Sequence, residues 1–142
     1  MSSRSPDPTT LVGRMIVASI GEPWDFRSAA GDNLLTGRVV AVSAPDESVE
    51  WLLCDVSPFM IGTQTVSTVA AVRRYADEEP LQQLHARGTT HANLLYDPSG
   101  SPLTPDRVRA ALAASPTVST AGFAFLVGSV RLQDAISAAP LA

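Results

Sequence analysis

Lysine is absent from this chain; all ten basic residues are arginine. Without lysine the protein cannot form a Schiff base, present a P-loop lysine or use a lysine general base. Cysteine is almost absent too. Cys54 stands alone, which excludes an intramolecular disulfide and a multi-cysteine zinc site. Histidine is confined to His85 and His91. Zinc-binding helices place two histidines four residues apart, and these two do not have that spacing, so no metal site is expected.

Long apolar runs are missing as well. The longest, residues 121–128, is far below the roughly 18–20 residues that cross a bilayer. The N-terminus carries Arg4 but no apolar stretch followed by a cleavage site. A soluble, cytoplasmic protein with no membrane contact is therefore expected. The nine glycines are scattered, with no Gly-x-Gly-x-x-Gly and no Gly-x-Ser-x-Gly. A standard nucleotide loop and a serine nucleophile elbow are disfavoured, and no cofactor is implied. The net charge is −4, and the arginines are dispersed, Arg73-Arg74 being the densest pair. Phosphate backbones demand clustered cations, so nucleic acid is not an expected partner.

The chain has 142 residues, 45% of them hydrophobic, enough for one domain with one core. Residues 1–10 and 137–142 are poor in core-forming side chains and read as flexible tails around a single domain at 11–136. Period-two apolar patterning predicts strands over 13–20, 34–43, 49–56, 64–75, 90–96 and 118–132. Residues 21–33 read as a long loop, and Ser57-Pro58 reads as a strand break. Pro80 at the start and Gly88 after the end frame a helix over 80–87. Thr104, Pro105 and Asp106 open a second helix over 104–115. The fold class is α+β: a mostly antiparallel sheet of about six strands, able to curl into a partial barrel, with two short helices.

Few residues suggest chemistry. Trp24 and Phe26 flank Asp25 on the long loop beside Glu22, a combination suited to a contact anchor or a lid. The plainer reading folds both aromatics back over one end of the sheet. Asp55 shares a strand face with Trp51 and Leu53, where a carboxylate could serve as general acid or base; otherwise it is a solvated strand end. His91 alternates with Asn93 and Leu95 on a strand. Arg73 could turn inward to hold a carboxylate or pair with Asp55, or lie in water. Cys54 sits mid-strand, where a buried, inert thiol is usual.

Two functions fit. One is a small acidic non-catalytic protein-binding domain, of the inhibitor or immunity type, that neutralises a basic partner. Its contact surface would be residues 22–32 joined by the acidic turn of Asp46, Glu47 and Glu50. The other is a cofactor-independent isomerase, cyclase or hydrolase with a small apolar ligand in a barrel-like sheet. Trp24, Trp51 and Phe125 would line that pocket, and Asp25, Asp55 or His91 would move protons.

Overall fold

The computed structural model describes residues 8–22, 26–28, 33–61, 63–74, 77–114 and 123–133. Its strands are β1 (Met15–Glu22), β2 (Phe26–Ser28), β3 (Leu34–Val42), β4 (Trp51–Ile61), β5 (Gln64–Val72), β6 (Thr89–Tyr96) and β7 (Ala124–Leu132). Helix α1 (Pro80–Arg87) lies between β5 and β6, and α2 (Pro105–Ala114) between β6 and β7. No helix among the described residues is long and apolar enough to cross a membrane.

Every strand expected from the sequence is present, and each barrel strand pairs antiparallel with the next along the chain. The last then pairs with the first, β7 against β1. The sheet is thus more than a partial barrel. It closes into a six-stranded up-and-down barrel, with β2 added along the far end of β4. Closure removes the exposed strand edges that an open sheet would leave.

Two expectations need correction. The long loop contains β2, whose Phe26 pairs with Ile61. Pro58 does not end β4, which runs on to Ile61. The β4–β5 register slips between Asp55 and Phe59, so Pro58 falls in a bulge. A bulge interrupts the ladder, and there the missing proline N–H costs little.

Alternation along the strands fills the interior. Ile16, Ala18, Leu35, Leu52, Leu94 and Leu126 belong to one buried cluster. A second cluster holds Trp51, Leu53, Ala70, Val72 and Leu95 against Val108 and Ala111 of α2. Helix α2 therefore covers the outside of β4, β5 and β6. This explains why β5 alternates poorly in sequence: Val69 and Ala71 pack with the interior cluster, while Ala70 and Val72 pack beneath α2. Strands covered on both faces read as continuous apolar runs.

One end of the barrel is closed by α1 and by a 3-10 turn, Pro8–Leu11. Residues 8–10, read from sequence as tail, belong to that turn. Leu11, Leu81 and Leu84 are buried in the interior cluster. A hydrogen bond between Thr10 Oγ1 and a ring nitrogen of His85, 3.1 Å, joins the two caps. Gly88 ends α1 in a left-handed conformation, φ 75°, and donates its N–H to the Leu84 carbonyl at 2.8 Å.

Candidate functional site

Asp55 and His91 both lie on the outside of the barrel and are exposed. Asp55 stands opposite Arg38 on one side and Thr68 on the other. His91 stands opposite Ser129. Trp51 and Phe125 do share an apolar cluster, but it is the one beneath α2. Trp51 is 0% exposed, and its indole N–H donates to Glu47 Oε1 at 3.0 Å. Arg73 donates to the Ser48 carbonyl at 2.9 Å, which binds the end of β5 to the β3–β4 turn. Trp24 and Asp25 lie outside the described residues. Their described neighbours Glu22 and Phe26 pair with Val127 and Ile61.

Of the joint surface expected from sequence, residues 23–25 and 29–32 lie outside the described residues. Residues 22–33 precede β3 and the acidic turn at 44–50 follows it. The nine residues of β3 separate the two, roughly 30 Å along an extended strand. The two ends of β3, Leu34 and Val42, lie at opposite ends of the barrel.

Among the described residues the buried polar groups hold the fold together. Cys54 is buried, and burial, then the charge of Asp55, pushes its thiol up to about 12. A thiol so far from ionising at neutral pH is a poor nucleophile. Four polar or charged residues are buried among the described residues: Ser43, Thr68, Thr90 and Asp97. Each holds the fold together. Ser43 Oγ accepts the backbone N–H of Trp51, and Thr68 Oγ1 accepts that of Leu103. Thr90 donates to the His91 carbonyl. Asp97 accepts from Arg107 and from the N–H and hydroxyl of Ser99, and so fixes the link from β6 to α2.

Two acidic segments lie at the α1 end, beside Arg73 and Arg87. The β3–β4 turn carries Asp46, Glu47 and Glu50, and Asp77, Glu78 and Glu79 lead into α1; Glu50 lies near enough to Glu79 to feel its charge. Pairing of β4 with β5, Trp51 opposite Val72, brings these two segments together. Asp46, Asp77 and Glu79 are exposed, and none forms an ion pair among the described residues. Glu47 is occupied: it accepts from Trp51, from the Ala44 N–H at 2.7 Å and from Arg109.

Glu50 reaches from the turn to the start of α1. Burial raises its pKa. A hydrogen bond from the Leu81 backbone opposes the rise, the charge of Glu79 adds to it, and Arg73 opposes it; the net shift is upward. Glu79, the residue that precedes the helix, makes no side-chain cap. Glu50 therefore caps α1 from a distant part of the chain. One oxygen of Glu50 and one of Glu78 are shielded from water with no hydrogen-bond partner, a costly state for a carboxylate.

The acidic runs themselves were visible in the sequence; their meeting depends on strand register, which no local pattern encodes. The described residues contain no group of three or more His, Cys, Asp or Glu able to hold a metal ion. No protein family, curated protein or solved structure matches the chain.

Proposed function

We propose that this protein is a non-catalytic binding domain that docks on a basic protein through the acidic α1 end of its barrel. The observation that carries this reading is the meeting of two acidic segments, which leaves Asp46, Asp77 and Glu79 exposed outside any ion pair among the described residues. A surface of one sign speeds encounter with an oppositely charged partner and disfavours like-charged ones. The net charge of −4 acts in the same sense. The buried polar side chains are committed to holding strands and turns, and Asp55 and His91 face outward, which also favours binding over turnover.

The test is affinity capture from the producing cells, with wild type beside the triple variant Asp46→Asn, Asp77→Asn, Glu79→Gln. Wild type is expected to retain a basic protein at low salt, to release it as salt rises, and to lose it in the variant. Equal capture by both proteins would overturn the acidic contact surface. Turnover of a small molecule by purified wild type would overturn the non-catalytic reading.

A further inference from the structure

On the face formed by β6, β7 and β1, strand register builds a row of polar side chains. His91 pairs with Ser129, and Ser129 pairs with Ser19. The β5–β6 register ends at Val72 opposite Asn93; two residues further on, it sets Arg74 beside His91. These four residues, with Ile20, Gly21, Val127 and Gly128, line one open groove of about 420 Å³. They come from four chain segments, and all four are polar or cationic.

Three further features suit an anion. Gly21 is an extra residue in β1, because Ile20 pairs with Gly128 and Glu22 with Val127. A bulge of this kind frees backbone groups from the ladder, often beside a site. Arg131, exposed and two residues beyond Ser129 on the same strand face, adds a cation at the margin. Bulk at Gly128 is also absent; a side chain there would collide with the Ser19 carbonyl, so the two strands lie close beneath the row. Two acidic residues border this face: Glu22, paired with Val127, and Glu78, which with Arg87, Thr89 and Thr90 lines an adjoining hollow that His91 also borders. Two serine hydroxyls, an imidazole and a guanidinium thus share one groove on an acidic chain.

We propose that this groove binds the phosphate group of a small phosphorylated ligand. A carboxylate is satisfied by a single guanidinium fork. A phosphate has three terminal oxygens to distribute. Here the donors are spread over neighbouring strands about 4.8 Å apart, an arrangement that suits the second shape. The groove is distinct from the exposed carboxylates of the proposed docking surface, so either idea can fail alone.

The experiment is an NMR titration of the whole chain with inorganic phosphate, at constant ionic strength, with acetate as a parallel arm. Saturable shifts are expected at the amides of Ser19, Gly21, His91 and Ser129, with a dissociation constant of about 1 mM. Acetate is expected to bind at least about tenfold more weakly. His91→Gln and Ser129→Ala, both on the outer face, are expected to weaken phosphate binding by about tenfold each. Arg38→Gln, which removes a positive charge on β3 outside the groove, is expected to leave phosphate binding unaltered. Shifts that do not saturate, acetate binding as tight as phosphate, or equal losses in all three variants would each overturn the proposal. Should a variant misfold, the wild-type map of shifted amides still decides.

Discussion

The guanidinium of Arg109 lies 5.2 Å from the centroid of the Trp51 ring, on the side that faces α2. The same arginine donates to both oxygens of Glu47, each at 3.2 Å. Glu47 in turn accepts the indole N–H of Trp51. A turn, a strand and a helix are therefore tied through one aromatic ring. Burial raises the pKa of Glu47, but the bonds from Arg109, Ala44 and Trp51 outweigh it and the net shift is downward.

Trp51→Ala is expected to destabilise the fold by about 4 kcal/mol, the cost of emptying a large buried site. Glu47→Ala is expected to cost about 1–2 kcal/mol, because it strands the indole donor. Urea unfolding checks both. A loss below about 1 kcal/mol for Trp51→Ala would mean that α2 does not seat on this ring.

Barrel closure makes a second, steric prediction. A methyl group at Gly128 would meet the Ser19 carbonyl across the β1–β7 seam, whereas one at Gly21 would come no nearer than 3.5 Å to the Val127 carbonyl. Gly128→Ala is expected to cost about 2 kcal/mol or more and to speed amide exchange along β1 and β7. Gly21→Ala is expected to stay within about 0.5 kcal/mol of wild type. Equal effects from the two substitutions would contradict a tight seam at residue 128.

Stability is also expected to respond to pH in two opposed ways. Asp97 sits below its ordinary value of 3.8; burial acts to raise it, but bonds from Arg107 and Ser99 prevail. Its contribution is complete above about pH 3.8 and disappears as the pH falls through the lower, folded value. Glu50 sits above its ordinary 4.5. Its ionisation is harder in the folded chain, so it costs nothing below about pH 4.5 and weakens the fold as the pH rises through the higher, folded value. Glu50→Gln is thus expected to match wild type near pH 4 and to exceed it near pH 8. Asp97→Asn should lie below wild type near pH 8 and converge with it in acid. Urea midpoints across this range decide; a Gln variant that loses ground as the pH rises would reverse the sign given to Glu50.

The residues themselves determined the six barrel strands and both helices, though not β2 or the run of β4 past Pro58. Alternation of apolar side chains, Pro80 with Gly88, and Thr104 with Pro105 are local signals, set by backbone sterics and caps that operate within a few residues. They also marked Cys54 as buried and inert. What local signals could not convey was closure of β7 onto β1, a contact between segments more than a hundred residues apart in sequence. From that closure follows the row of His91, Ser129 and Ser19, while the pairing of β4 with β5 brings Glu50 near Glu79. Pro58 and Trp51 teach the same lesson: a bulge excused the proline, and a helix contributed from 54 residues downstream covered the indole. Side-chain periodicity dictates which way each residue points; only strand register and barrel closure decide what it points toward.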